Sequence, residues 1–308
     1  MNILKSYRLA ATITFVFMGG LASAQGNPNM TDQVQAQAQG TGPETVKAGW
    51  QPSLVRDGVY DQAPHVTIPL DWQPIREADI LWKKRVWREI DTRQKQNMAF
   101  RYPGDPNTGG GMFIEILIDA LKKGKIKGYS TADDRFTTAL SKDQILEMLT
   151  GKPDTIPVEN PLTGEVELRI IKRDFNPDAV TKFRIKEDWI FDRNLGRMVV
   201  RIIGMAPLLD RFNDDGTFRA SAPMFWIYYP EFRETMAQYE VFNPENDVAR
   251  MTWDEFFENR FFSSYIMKVS NPFDMTFNQM GLDGTDALYE GRRVAEELFN
   301  KEHDMWVY

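Results

Sequence analysis

Phe183-Arg184-Ile185-Lys186-Glu187-Asp188-Trp189-Ile190-Phe191 decides the fold, because its apolar and polar residues mostly alternate. That period of two belongs to a strand with one covered face, not to a helix. The strand is predicted over Val180–Arg193, and Asn194-Leu195-Gly196 turns the chain into a second run, Arg197–Pro207. Two such runs joined by a short glycine-bearing turn predict a β-hairpin. The sheet is expected to be mostly antiparallel, with one buried face and one wetter face. Val166–Ile171 adds a strand before the hairpin. Ala222–Tyr229 adds another after it, nearly all apolar and therefore expected at the centre of the sheet.

Helical spacing brackets these strands. Pro74 suits the first turn of a helix running to about Asn97, on which Ile75, Ala78, Trp82, Val86 and Ile90 form one apolar stripe. Ile80 and Trp87 share a second stripe among charged residues, which predicts either deep burial or a partner surface. Further helices are predicted at Met112–Lys123 and at Ser141–Thr150, the latter capped by Ser141 and stopped by Gly151-Lys152-Pro153. Residues 231–238 and 252–261 follow the same period. Gly284-Thr285 opens a last helix with Leu288, Gly291, Ala295 and Leu298 on one side. The fold class is α+β, a mostly antiparallel sheet flanked by helices. The domain spans 75–308, divisible into a helical part, 75–160, and a sheet-containing part, 161–308.

The residues before this domain read differently. Lys5 and Arg8 precede the apolar run Leu9–Leu21, and Ala22-Ser23-Ala24 completes a signal peptide cut before Gln25. The absence of cysteine leaves nothing to lipidate at that position and no disulfide in the exported chain. Residues 25–49 are rich in Gln, Ala, Gly and Asn and read as a disordered tether. Residues 50–74 carry Trp50, Tyr60 and Trp72 among prolines and read as an extended arm, free to drape over its own domain or a neighbour.

Composition bounds the chemistry. Cutting 308 residues to 284 takes the formal net charge from −7 to −9, which argues against a basic surface for nucleic acid or anionic lipid. His65 and His303 are the whole imidazole supply. No Cys/His zinc cluster can be built from them, and Ser-His-Asp or Cys-His catalysis would have to use one of the two. Paired-carboxylate glycosidase chemistry needs only Asp or Glu and stays open. Asn107-Thr108-Gly109-Gly110-Gly111 lacks the Gly-Lys-Ser/Thr ending of a phosphate loop and reads as a turn. Arg211-Phe212-Asn213-Asp214-Asp215-Gly216 lacks the first and last acids of a calcium loop and reads as a hairpin turn. Asp254-Glu255 and Glu296-Glu297 read as solvated helix faces. Tyr308 matches the terminal aromatic of an outer-membrane barrel strand, but helical periodicity over 286–301 argues against a barrel. No catalytic, cofactor-binding or metal-binding residue is assigned.

Several blocks in one order resemble the GldN/PorN family of Bacteroidota. They are Val86-Trp87-Arg88-Glu89-Ile90-Asp91-Thr92-Arg93-Gln94-Lys95-Gln96-Asn97, Lys186–Asp192, Arg201–Pro207, Met224–Glu231, Glu240–Asp247, Phe256-Phe257 and Arg260–Ile266. The resemblance covers about 75–300 and implies a non-enzymatic structural subunit of the periplasmic ring of the type IX secretion and gliding machinery. It implies assembly with the outer-membrane lipoprotein GldK/PorK, contact with the periplasmic region of the motor protein GldM/PorM, and self-association in a ring. The expected location is the periplasm, against the inner face of the outer membrane. A ring needs head-to-tail contacts, hence two different complementary patches on each subunit. Aromatic and Arg residues usually anchor such patches. The candidates are Ile80, Trp82, Trp87, Arg88 and Arg93 on the first helix, with Arg260, Phe261 and Phe262. The alternative from the residues alone is a periplasmic two-carboxylate glycan hydrolase or glycan-binding protein. A secreted cargo protein is a further rival, but would be expected to end in a β-rich sorting domain.

Overall fold

The structure is a computed structural model that describes residues 68–104, 111–150, 154–159, 166–171, 175–213, 215–246 and 249–305. The signal segment, the tether, the arm before residue 68, His65, the Asn107–Gly110 loop, Gly151–Pro153 and Tyr308 lie outside the described residues.

In chain order the elements are β1 (Ile80–Asp91), α1 (Phe113–Lys123), β2 (Gly128–Tyr129), α2 (Lys142–Thr150), β3 (Asp154–Glu159), β4 (Val166–Ile171), β5 (Val180–Asp192) and β6 (Arg197–Phe212). Then come β7 (Phe218–Pro223), β8 (Trp226–Tyr228), α3 (Tyr229–Met236), β9 (Glu240–Val241), β10 (Met251–Thr252), α4 (Trp253–Glu258), β11 (Tyr265–Val269) and α5 (Thr285–Met305). The main sheet runs β11-β1-β5-β6-β8-β2, with β7 also paired to β6. Its pairings are antiparallel, so the fold is α+β as the sequence predicts. The β5–β6 hairpin turns at Gly196, whose φ of +61° favours glycine. The Asn213 N–H donates to the Thr217 carbonyl and closes the β6–β7 hairpin that the sequence predicts. β4 pairs with β3, a strand not anticipated from the sequence.

The first predicted helix is a strand. Trp82, Val86 and Ile90 are four residues apart, a spacing that keeps side chains on one side of a helix and equally on one face of a strand. Between them sits Arg88, which spoils the apolar alternation because it is drawn inward by Glu187. With that residue discounted, β1 is an inner strand, paired with β5 along Ile80–Asp91 and with β11 along Val86–Glu89.

Register sorts the side chains into two faces. On one, Ile90 lies opposite Phe183, and Ile185 opposite Met205; these join Phe113, Phe232, Trp253 and Phe257 from the helices in the main core. Phe100 and Phe113 sit at its centre, each within 6 Å of several other rings. α5 covers a second cluster of Val86, Ile266, Val269, Val294 and Leu298. It can approach because Gly291 has no side chain: a Cβ there would stand 2.3 Å from the Ile266 carbonyl oxygen. Ala295 and Leu298 take the predicted inward side, whereas Leu288 is exposed.

The other face is the more polar. It carries Glu89 opposite Arg184 and Trp87 opposite Lys186, with a small lid from the segment after β2. Phe136 lies so close over Gly204 that a Cβ there would come 2.3 Å from the ring. α2 starts with a Ser141 cap, as predicted: Gln144 N–H donates to Ser141 Oγ, and Ser141 N–H to Gln144 Oε1. The apolar run Ala222–Tyr229 is not a central strand. Ala222 and Pro223 end β7 against β6, Met224 and Phe225 turn inward, and Trp226–Tyr228 forms a separate short strand between β6 and the two-residue β2. The run is apolar because Phe225, Ile227 and Tyr229 enter the main core while Trp226 covers the opposite face.

Candidate functional site

The predicted interface residues do not form one patch. Trp87 is 5% exposed and Phe262 7% exposed, so both belong to their own chain's interior. Trp87 faces the polar side of the sheet, where its Nε1 donates to Asp134 Oδ2 at 2.7 Å and Lys268 Nζ lies 4.2 Å from its ring centroid. Lys186 completes this cage, bonded to the Asp134 carbonyl at 2.6 Å; burial pushes its ammonium below the usual lysine range, with Asp134 acting the other way. Trp82 packs partly buried beside the α5 cluster, and Ile80 is half-buried at the start of β1.

Arg88, Arg260 and Phe262 do converge, on an acid the sequence reading left aside. Glu187 has no solvent exposure and sits on the helix-covered face, where Arg260 donates to both carboxylate oxygens at 2.7 and 3.2 Å. Arg88 approaches to 3.6 Å and Trp189 Nε1 donates at 3.2 Å. Burial lowers the Arg88 guanidinium, and the Glu187 charge opposes that shift. The Arg260 guanidinium also lies over the Trp189 and Phe262 rings, at 5.6 and 5.3 Å. On the other face Asp188 is held by Arg85 and Lys83 at 2.6 and 2.7 Å. Its burial raises the cost of ionisation, but those hydrogen bonds win and hold its carboxyl below the usual range. Two neighbouring carboxylates on a central strand are thus each neutralised by cations of the same chain. A sequence signal existed: the Lys186-Glu187-Asp188 run breaks the apolar–polar alternation and puts a charge on the covered face, which demands partners.

Arg260 has φ +56°, unusual for a residue with a side chain. The corner it makes sends Phe262 inward and leaves Phe261 51% exposed. Arg93, also exposed, is paired with Asp91 at 2.7 Å. Asn97 ties these two segments: its Nδ2 donates to the Asp91 and Ser263 carbonyls, and its Oδ1 accepts from the Ser263 N–H. Arg93 and Phe261 are therefore the predicted interface residues that remain open to solvent on linked segments.

Asp254 corrects a second expectation. It is fully buried rather than solvated, and receives a bidentate bond from Arg233 at 2.7 and 3.0 Å. The arm residues Leu70 and Trp72 bond to this pair and to Glu258. Among the described residues no group of three or more His, Asp or Glu side chains is arranged to hold a metal ion, and no helix is long and apolar enough to cross a membrane.

The fold and these sites define an α+β scaffold whose buried carboxylates Glu187, Asp188 and Asp254 are tied to cations of the chain itself. The chain belongs to the GldN family: the family model described as gliding motility associated protein GldN matches residues 75–307. No curated protein matches the chain.

Proposed function

We propose that this chain is a non-enzymatic structural subunit of the periplasmic ring of the type IX protein secretion system, required for secretion and gliding. In this reading it assembles with an outer-membrane lipoprotein of the GldK/PorK kind, meets the periplasmic region of a GldM/PorM motor protein, and repeats around the ring. The observation that carries the reading is the GldN family match over 75–307. The Arg260 corner supports it: a non-glycine residue in the left-handed region costs of order 1–3 kcal/mol, and such strain clusters at ligand clamps and other functional sites. Phe261 is the displayed side chain. The test is fractionation with co-purification. The expected result is a periplasmic chain, cut before Gln25, that purifies with the lipoprotein; recovery in the medium or at the cell surface would overturn it.

A further inference from the structure

The last arm residues occupy a seat whose parts already hold one another. Arg233 on α3 grips Asp254 on α4, and the Tyr229 hydroxyl donates to Glu258 Oε1 at 3.1 Å. Thr252 caps α4 and fixes the helix that carries both acids. What remains unfilled on these groups is filled by the arm. The Leu70 N–H donates to Asp254 Oδ2 at 2.7 Å, and Arg233 Nη2 donates to the Leu70 carbonyl at 2.5 Å. Trp72 Nε1 donates to Glu258 Oε2 at 2.8 Å. The Trp72 ring stacks on Tyr229, and the guanidiniums of Arg233 and Arg201 lie 4.3 and 4.8 Å from its centroid. Arg201 Nη2 also reaches the Gln73 carbonyl at 3.3 Å.

This pattern reads a segment in a defined way. Leu70 is recognised through its peptide N–H and carbonyl while the residue is 41% exposed, so the position demands the backbone groups and little of the side chain. Two residues on, where an extended chain returns to the same side, the seat demands an indole. An occupant therefore completes the hydrogen bonding of Asp254, Arg233 and Glu258.

We infer that the α3–α4 seat is a recognition site for an extended, tryptophan-bearing segment, and that in the assembled ring it takes Leu70–Gln73 of a neighbouring copy. The inference rests on the ring reading. A head-to-tail ring needs two different complementary patches on every chain, and the arm and its seat are such a pair. Exchange of an identical segment between copies keeps every contact, so it costs little beyond the change of connection.

The test uses two full-length variants. An acceptor, Leu70→Pro with Trp72→Ala, has an arm that cannot bind and an intact seat; a donor, Glu258→Ala with Arg201→Ala, keeps its arm and loses the seat's hydrogen-bonding partners of Trp72 and Gln73. Each alone is expected to sediment as a monomer, and the mixture as a heterodimer. Excess peptide of residues 66–75 should dissolve the heterodimer, and the same peptide with Trp72→Ala should be at least about thirtyfold weaker. Should melting show the acceptor unfolded, Trp72→Ala alone replaces it. A mixture that stays monomeric, or a dimer indifferent to the peptide, overturns the inference. The wild-type chain's co-purification with the lipoprotein is measured in parallel: if it holds while the mixture stays monomeric, exchange alone has failed, and if it is lost, the ring reading has failed.

Discussion

Arg260, from a backbone in the left-handed region, places both terminal nitrogens on the Glu187 carboxylate, which has no exposure to solvent. One ionic contact thereby fixes a surface corner to the central strand β5. Removing one partner of a buried pair leaves a charge without compensation, which costs about 3–5 kcal/mol. Glu187→Ala is expected to lose that much in urea denaturation, because it strands both Arg260 and Arg88. Arg260→Gly should lose less than Glu187→Ala, since glycine relieves the positive φ and Arg88 still faces the acid.

Trp87→Ala is expected to unfold the subunit more readily, by about 3–5 kcal/mol, because it empties a buried site and leaves Asp134 without its indole donor. Thermal melting of the isolated variant checks this. An unchanged melting temperature would mean that the Trp87 cage contributes nothing to the fold.

Phe261→Ala should do the opposite. With half its surface already in water, truncation is expected to leave the melting temperature nearly unchanged. On the ring reading it weakens pull-down of the lipoprotein or of a second copy by roughly thirtyfold, corresponding to about 2 kcal/mol. Pull-down at wild-type strength would remove Phe261 from the interface.

Gly291→Ala forces a methyl group against the Ile266 backbone, where a flexible side chain cannot yield. The expected cost is about 1–3 kcal/mol as α5 lifts from β11. Hydrogen exchange should show faster opening of Tyr265–Val269 than in the wild type.

Asp188 sets an acid limit. Its folded-state pKa is lowered, so its contribution to stability is complete above the unfolded carboxylate value of about 3.9 and is lost as pH falls through the folded value. Denaturant midpoints should therefore drop below about pH 4, and Asp188→Asn should show a shallower fall than the wild type.

The hairpin of β5 and β6, the helix α1, the Ser141 cap and the long C-terminal helix were legible because each rests on local chemistry: alternation, capping and a turn glycine. The family resemblance was legible for the same reason, being carried by blocks of contiguous residues. The strand β1 was not, because its apolar residues are spaced by four, a multiple common to both periods, and its inward Arg88 hides the alternation. For Trp87 the sequence left deep burial and a partner surface both open, and the burial of Asp254 was invisible. Trp87 is covered by Asp134 and Phe136, residues far from it in sequence, and Asp254 by Arg233 and the arm.

The sequence by itself determined that this is an α+β chain of the GldN family, with strands at 180–207 and an acidic balance. Only the tertiary structure decided which charges are interior and which aromatics are displayed. The physical reason is that a charge is buried when a partner from another element reaches it. Arg260 reaching Glu187 and Arg233 reaching Asp254 are meetings that the fold alone arranges.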